Sequence, residues 1–217
     1  MKVVLICGPY GSGTTAVAGL LSRIGAIGFN RNLHWMTTDP RTPDSYELTP
    51  FRDIVLQFVD EANVALKGAA PAEIQSALQT LRLAIERQAF GPYDLRRHLR
   101  RPPWVALKHP LAAFLIPQIC QVFETKAIHV MRPLEQIEQT RLRRGWPANY
   151  GAAGAEIIYQ RLDEAWELAA CPAIKVEYAA LVASPLAHAR RIARLVGLTP
   201  SMAQMQQAVS FVKPRPV

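Results

Sequence analysis

A short apolar segment, a glycine-rich turn and an amphipathic segment follow one another within the first 24 residues. Residues 3–7 read Val-Val-Leu-Ile-Cys, and an apolar run of this kind is typical of a buried parallel strand. The turn Gly8–Thr15 follows at once, and apolar residues then recur at helical spacing up to Ile24. This order presents backbone N–H groups and a helix N-terminus to a phosphate. We therefore predict a phosphate-binding loop here, the alternative being a tight turn without a ligand.

The spacing of the loop matches the nucleotide phosphate loop G-x-x-x-x-G-K-[ST], except that Thr14 occupies the lysine position. In nucleotide-dependent kinases that lysine contacts the β- and γ-phosphates. Its absence argues against ATP chemistry but not against phosphate binding. The residues that we expect to bind the phosphate, through backbone N–H groups and hydroxyls, are Gly8, Tyr10, Gly11, Ser12, Gly13, Thr14 and Thr15.

Basic residues outnumber acidic ones by 25 to 17, and the resulting net charge of +8 favours anionic ligands. The basic residues are not interleaved with aromatic ones as in a recognised nucleic-acid-binding module, so no nucleic acid is expected. Cys7, Cys120 and Cys171 lack metal or disulfide spacing and indicate free thiols in a reducing compartment. Without a signal peptide or an apolar run of membrane-spanning length, we expect a cytoplasmic protein with no transmembrane segment.

Further apolar runs alternate with helical patterns along the chain. We predict strands at 104–107, 127–131 and 173–176, with helices between them, which is typical of an α/β fold. Ligands of such sheets bind beyond the carboxyl ends of the strands. Polar residues follow the predicted strands at those ends, namely the loop Gly8–Thr15, Lys108-His109, Arg132 and Glu177-Tyr178.

The segment between the first helix and the second strand reads as an insertion. Residues 26–49 lack periodicity and predict a long loop. Residues 51–67 and 72–89 predict a helical hairpin, and the basic run 96–101 is interpreted as a solvated loop. The whole chain, 1–217, is thus predicted to be one three-layer α/β/α domain with a central parallel sheet and a helical insert at about 50–100.

These blocks resemble the P-loop sulfotransferases that use 3′-phosphoadenosine 5′-phosphosulfate (PAPS), in the branch of bacterial and Golgi-type members. Gly8–Thr15 resembles their 5′-phosphosulfate loop, and Tyr46-Glu47 resembles their G-x-x-E segment. Lys108-His109-Pro110 is similar to their K-x-P or K-T-H segment. Arg132 and Thr140, eight positions apart, resemble the Arg and Ser pair that holds the 3′-phosphate. The resemblance implies a P-loop NTPase-like sulfotransferase fold.

The resemblance also implies an enzyme that transfers a sulfuryl group from PAPS to a hydroxyl or amine, releases adenosine 3′,5′-bisphosphate and needs no metal. It implies catalytic roles for Glu47, His109 and Lys108, with Glu47 slightly favoured over His109 as the base. The basic residue of the family's loop is replaced by Gly11, so a substitute cation is required. Lys108 is our first choice, and an arginine of the 141–144 cluster is the second.

Two other functions stay open. A non-catalytic sulfotransferase-like protein that binds nucleotide or a partner is favoured by Gly11 and by Ala179-Ala180, which stand where the family has an acidic pair. A P-loop small-molecule kinase requires an aspartate after a core strand, and none of the predicted strands ends in one. The acceptor is open among small-molecule, glycan and lipid hydroxyls, and the sequence contains no signal for the oligomeric state.

Overall fold

The computed structural model describes residues 1–25, 34–38, 43–89, 104–169 and 171–212. The strands within these residues, in chain order, are β1 (Lys2–Cys7), β2 (His34–Met36), β3 (Asp44–Leu48), β4 (Val59–Asp60), β5 (Ala65–Leu66), β6 (Trp104–Lys108), β7 (Glu124–Met131) and β8 (Ala173–Glu177). The α-helices are α1 (Thr14–Arg23), α2 (Thr49–Phe58), α3 (Pro71–Ala89), α4 (Ile116–Val122), α5 (Leu134–Arg144), α6 (Ala152–Ala169), α7 (Tyr178–Ala183), α8 (Pro185–Val196) and α9 (Met202–Val212). Short 3₁₀-helices cover Pro110–Leu115 and Ala148–Tyr150.

The central sheet of the described residues is parallel, with the strand order β6-β1-β7-β8. The first strand lies inside it and pairs with β6 on one side and β7 on the other, so that Val3 lies opposite both Val105 and Thr125. The pairing of β7 with β8 completes the sheet. Because every pair is parallel, the carboxyl ends of all four strands lie at one edge, where the segments that follow them meet.

The side chains of β1 alternate between two buried layers. Val3, Leu5 and Cys7 pack with apolar residues of α2, α3, α4 and α6. Val4 and Ile6 pack on the other face, with apolar residues of α1, α8 and α9. Each fully buried aliphatic side chain of this kind stabilises the fold by about 1.5–3 kcal/mol. The predicted three-layer α/β/α arrangement around a central parallel sheet is therefore confirmed.

The long loop predicted for residues 26–49 contains two short strands. In the described part of this segment, β2 and β3 pair in antiparallel fashion, with His34 opposite Leu48 and Met36 opposite Asp44. The His34 Nδ1 atom lies 3.0 Å from Asp44 Oδ1, which ties the two strands together. Strands of three and five residues contain too few alternations to stand out in the sequence, which explains why the pattern predicts a loop.

The first predicted helix of the insert ends earlier than the sequence pattern suggests. The helix α2 stops at Phe58, and the next residues form the hairpin β4–β5 instead of continuing to residue 67. The Asp60 carboxylate accepts hydrogen bonds from the N–H groups of Ala62 and Asn63, at 2.9 and 3.3 Å. An aspartate that binds the backbone two residues ahead favours a turn over a helix. The insert is thus helical only in part, and the basic run 96–101 lies outside the described residues.

His129 on β7 lies in the core, as its position within a predicted strand suggests. Its ring is 1% exposed and lies 5.6 Å from the rings of both Tyr159 and Trp166. Neither ring nitrogen has a hydrogen-bond partner among the described residues. Burial, aided by the Lys175 charge, lowers the pKa of His129 to about 4. The imidazole is therefore neutral at pH 7 and costs stability without forming a bond.

We expect His129→Phe to stabilise the protein by about 1 kcal/mol at pH 7, because it removes two unpaired buried nitrogens. The gain in stability from this substitution should be larger at acidic pH. The unfolded histidine binds a proton below about pH 6.5 and the folded one only below about pH 4, so the wild type loses about 2 kcal/mol between pH 7 and pH 5. Urea unfolding of both proteins at the two pH values measures this. An equal acid loss in the variant would contradict the assignment.

No helix in the described residues combines the length and the apolar character needed to cross a membrane.

Candidate active site

A cavity of about 730 Å³ lies at the carboxyl edge of the sheet. Its walls include residues that follow each of the four strands, namely Tyr10 after β1, Lys108-His109 at β6, Arg132 after β7 and Tyr178 after β8. Cavities of about 300–1,000 Å³ hold ligands of nucleotide or drug size. The polar strand ends that the sequence points to are thus gathered around one site, except Glu177, which does not line the cavity.

The glycine-rich loop forms part of this wall. Tyr10, Gly11, Gly13, Thr14 and Thr15 line the cavity. Gly13 has a φ of 102° and precedes the first turn of α1, so the free N–H groups of the helix start beside the cavity. Gly13 also has no room for a side chain, because a Cβ there would collide with the ring of Tyr178.

Two residues of the predicted loop lie behind the cavity wall rather than on it. Ser12 is fully buried, and its hydroxyl has no hydrogen-bond partner among the described residues. Gly8 has a φ of 153°, and a Cβ there would lie 2.5 Å from the carbonyl oxygen of Val130. Gly8 thus permits the close approach of the loop to β7, which is a structural contribution to the site.

The three residues predicted to be catalytic lie together in the cavity wall. Lys108, the last residue of β6, donates a hydrogen bond of 2.7 Å to Glu47 Oε1 and one of 2.9 Å to the carbonyl of Ser45. His109 Nε2 lies 3.9 Å from the other oxygen, Glu47 Oε2. Residues 61 positions apart in the sequence meet because β3 packs beside β6. Lys108 and Glu47 are 3% and 8% exposed.

The surroundings of His109 fix its tautomer. Its Nδ1 accepts a hydrogen bond of 3.2 Å from the backbone N–H of Leu111, at the start of the 3₁₀-helix that follows. Burial lowers the pKa of His109 to about 4, although the Glu47 carboxylate acts in the opposite direction. The imidazole is therefore neutral near pH 7 and carries its proton on Nε2. In this state His109 donates a hydrogen bond and does not accept a proton from a substrate at Nε2.

Glu47 is the anion of the group. Burial alone opposes its ionisation, but the charge of Lys108 and the hydrogen bond that Lys108 donates hold the pKa of Glu47 below its ordinary value. The carboxylate is thus ionised at neutral pH and keeps lone pairs that Lys108 does not use.

Arg132 and Thr140 form a second cluster in the cavity wall. Arg132 Nη1 donates to Thr140 Oγ1 at 3.1 Å and to the carbonyl of Gly11 at 2.9 Å. The guanidinium therefore connects the glycine-rich loop to α5. Burial lowers the pKa of Arg132 and the nearby Arg143 charge adds to this, but a guanidinium stays protonated at neutral pH.

Tyr159 on α6 holds the backbone of Arg132 in place, and the sequence pattern does not reveal it. Its hydroxyl accepts a hydrogen bond of 2.8 Å from the N–H of Arg132 and donates one of 2.9 Å to the carbonyl of the same residue. In the sequence Tyr159 is one of several apolar positions of a helix.

Aromatic side chains line the remaining wall. The rings of Tyr10 and Tyr150 stack at 3.9 Å with an interplanar angle of 9°, and the Tyr10 hydroxyl donates to Glu61 at 2.6 Å. Arg52 on α2 covers the ring of Trp35, with its guanidinium carbon 4.0 Å from the ring centre. Arg52 and Glu61 have no distinctive sequence context, because their neighbours in the cavity come from distant parts of the chain.

The basic cluster at the end of α5 reaches the cavity in part. Arg143 and Arg144 line it, whereas Arg141 forms an ion pair of 2.6 Å with Glu138. Phe211 and Val212 of α9 also line the cavity, and the residues that follow them lie outside the described part of the chain. The cavity is thus lined by several cations. Among the described residues no group of three or more His, Cys, Asp or Glu side chains is arranged to hold a metal ion.

Comparisons with known proteins fit this geometry. A family model described as "Sulfotransferase family" matches residues 4–201. Among solved structures, a sulfotransferase from Mycobacterium tuberculosis has a TM-score of 0.54 and 17% identity, over 96% of this chain and 71% of that one. The sulfotransferase domain of the Curacin biosynthetic pathway has a TM-score of 0.53 and 14% identity, over 95% and 77%. The sulfotransferase domain of the Synechococcus olefin synthase has a TM-score of 0.55 and 17% identity, over 99% and 81%. No curated protein matches the chain at a significant level.

At these identities the likeness to solved structures establishes the fold, which is the P-loop-like α/β fold of sulfotransferases. The family model adds a match in sequence, and it runs from the first strand to the start of the last helix. Since that match covers most of the chain, including the glycine-rich loop, Glu47, Lys108 and Arg132, the protein belongs to the sulfotransferase family.

Proposed function

We propose that the protein transfers a sulfuryl group from PAPS to a hydroxyl or amine of an acceptor. The observation that carries the proposal is the contact of Arg132 with both Thr140 and the loop residue Gly11, in the same cavity as the Glu47–Lys108 pair. A nucleotide that bears phosphates at both its 5′ and its 3′ positions needs two separate anion sites. The helix start at Gly13 and the Arg132–Thr140 pair supply two such sites.

The residues present suit this nucleotide. No side chain caps the start of α1 at Gly13, so the first N–H groups of the helix are open to an anion. The Arg132 guanidinium retains donors beyond those that bind Gly11 and Thr140, and they are available to a 3′-phosphate. When bound, PAPS supplies the sulfuryl group, and adenosine 3′,5′-bisphosphate remains.

Glu47 is proposed as the base that takes the proton of the acceptor. It is ionised and lies in the cavity, and one of its oxygens is not engaged by Lys108. The role of His109 is then to donate a hydrogen bond from Nε2 towards the transferred group, because its Nδ1 is occupied by Leu111. This division of roles follows from the tautomer of His109.

Lys108 is proposed as the cation that replaces the missing basic residue of the loop. It lines the cavity beside the proposed base, and it also fixes Glu47 in place. Arg143 and Arg144 are the second choice, because they line the same cavity. A cation that is already in place stabilises charge as it develops on the transferred group.

A non-catalytic role is the second candidate, and the observation that favours it is Gly11. The glycine has a φ of 77°, a conformation that a lysine or arginine side chain adopts only with strain. The loop therefore has a shape suited to glycine at this position. Such a protein would bind adenosine 3′,5′-bisphosphate without turnover, or would bind no nucleotide and act through a partner.

Calorimetric titration with adenosine 3′,5′-bisphosphate, ADP and Mg-ATP tests the nucleotide part of the proposal. We expect the bisphosphate to bind at least about tenfold more tightly than ADP, with or without EDTA, because only it carries a 3′-phosphate for Arg132. A thermal shift that rises with bisphosphate concentration is the second readout. Preference for Mg-ATP would favour a kinase, and no binding of any nucleotide would favour the interaction protein. Turnover of PAPS with an acceptor then separates the enzyme from the non-catalytic protein.

A further inference from the structure

Arg52 is a cation of the cavity that the proposed reaction does not yet use. It lies on the first turns of α2, five residues after Glu47, and lines the cavity together with Trp35 and Met36. Its side chain is 20% exposed, and its guanidinium lies over the Trp35 ring at 4.0 Å. Stacking on an aromatic ring orients a guanidinium and leaves its N–H edge free to bind an anion.

Arg52 has no close ion pair among the described residues. Among the described residues its ion-pair partner is Asp53, at 3.8 Å, and the Asp53 side chain is 63% exposed. An exposed pair at this distance contributes little. By comparison, Lys108 lies 2.7 Å from a carboxylate oxygen of Glu47, and Arg141 lies 2.6 Å from one of Glu138.

Arg52 lines the cavity close enough to Glu47, His109 and Tyr150 for its charge to act on all three. Burial has the largest effect on the pKa of each group, and the Arg52 charge lowers all three pKa values, against burial for Glu47 and Tyr150 and in the same direction as burial for His109. The side chains whose charges act on Arg132, besides its burial, are Tyr178, Arg143 and Tyr159. Arg52 thus belongs with Glu47 rather than with the site proposed for the 3′-phosphate.

We infer that Arg52 binds an anionic group of the acceptor, so that the substrates are hydroxyl compounds that carry a carboxylate or a similar anion. The inference rests on the proposed function, because the acceptor hydroxyl must approach Glu47. The helix start and Arg132 are the sites proposed for the donor phosphates, whereas Arg52 lines the same cavity close enough for its charge to act on Glu47, the proposed base. Trp35 and Met36, which are 44% and 42% exposed, offer a flat apolar surface for the ring of such a substrate.

Two matched pairs of probes test this inference. The first is 4-hydroxybenzoate and its methyl ester, and the second is methyl β-glucuronide and methyl β-glucoside. Each pair differs in one negative charge, and the pairs distinguish an aromatic frame from a sugar frame. Binding is measured by calorimetry, on the free protein and on the protein saturated with adenosine 3′,5′-bisphosphate. For at least one pair we expect the acid to bind about tenfold or more tightly than its neutral partner.

Variants assign the preference to Arg52. In Arg52→Gln the ratio of the acid and neutral affinities should fall to about one, while in Arg52→Lys it should be retained in part. Arg161→Gln is the matched control, because Arg161 also lies over an aromatic ring, that of Phe114, and does not line the cavity. It should keep the full preference.

Equal binding of acid and neutral probes to the wild type would overturn the inference, and so would a preference that survives in Arg52→Gln. A loss of PAPS affinity relative to adenosine 3′,5′-bisphosphate in Arg52→Gln would also overturn it, because Arg52 would then contact the donor sulfate. Failure of the proposed function has a different signature: the bisphosphate does not bind, whereas the probe comparison on the free protein still reports on Arg52.

Discussion

Replacing Glu47 with glutamine is expected to lower kcat for sulfuryl transfer by about a hundred- to ten-thousandfold, the range that a general base supplies. Glutamine keeps the size of the side chain and an oxygen for the 2.7 Å hydrogen bond from Lys108, but it does not take up a proton. The Kd for adenosine 3′,5′-bisphosphate should change by less than about threefold, because a base acts on the acceptor rather than on the nucleotide. Initial rates at saturating PAPS and acceptor, together with calorimetry, measure the two quantities.

His109→Asn is the control that separates the two candidate bases. The asparagine oxygen takes the place of Nδ1 as acceptor for the N–H of Leu111, so the local backbone is preserved. If Glu47 is the base, this variant should keep far more activity than Glu47→Gln. An enzyme that tolerates Glu47→Gln and loses its activity in His109→Asn would reverse the assignment.

The Glu47–Lys108 pair contributes to stability, and this contribution has to be separated from its role in catalysis. Lys108→Met leaves the Glu47 carboxylate buried without its partner, which costs about 3–5 kcal/mol when one partner of a buried ion pair is removed. The double variant Glu47→Gln, Lys108→Met should recover most of that stability and remain inactive. Urea unfolding of the single and double variants therefore shows whether a lost rate reflects chemistry or unfolding.

Arg132→Ala is expected to abolish the discrimination between adenosine 3′,5′-bisphosphate and ADP, a loss of about 10- to 100-fold in the ratio of their affinities. The ratio of affinities is the proper readout, because Arg132 also holds the loop through its hydrogen bond to the carbonyl of Gly11. Its removal should therefore weaken the binding of both nucleotides. Thr140→Val keeps the guanidinium and removes one of its hydrogen bonds, so its effect should be smaller. A variant at position 132 that still prefers the bisphosphate would refute the assignment of the 3′-phosphate to Arg132.

The sheet could be predicted from the sequence because its strands are continuous apolar runs. Val3–Cys7 is buried on both faces and reads as a strand without any tertiary information. The end of α2 could not be predicted in this way. The apolar spacing continues beyond Phe58, and only the local hydrogen bonds of Asp60 turn the chain into a hairpin.

The candidate site was predictable where its residues directly follow strands, as Lys108, His109 and Arg132 do. The catalytic role of Glu47 was accessible only through the resemblance to a family, because the short strand that carries it has no clear pattern. Arg52 and Tyr159 were missed because their importance lies in neighbours from elsewhere in the chain. Tyr159, for example, binds a backbone 27 residues away. Such contacts depend on packing, which periodicity does not encode.

The central position of β1 has a consequence for how the chain acquires its structure. Lys2 pairs with Trp104 on one side and with Glu124 on the other, so the first strand finds its partners only after more than a hundred intervening residues. Closing such long loops is entropically costly before any contact compensates for it, and folding that depends on it is slow. During synthesis the apolar segment Val3–Cys7 stays without its sheet until β7 has left the ribosome. A chain interrupted before Met131 would expose that segment and would be prone to aggregate.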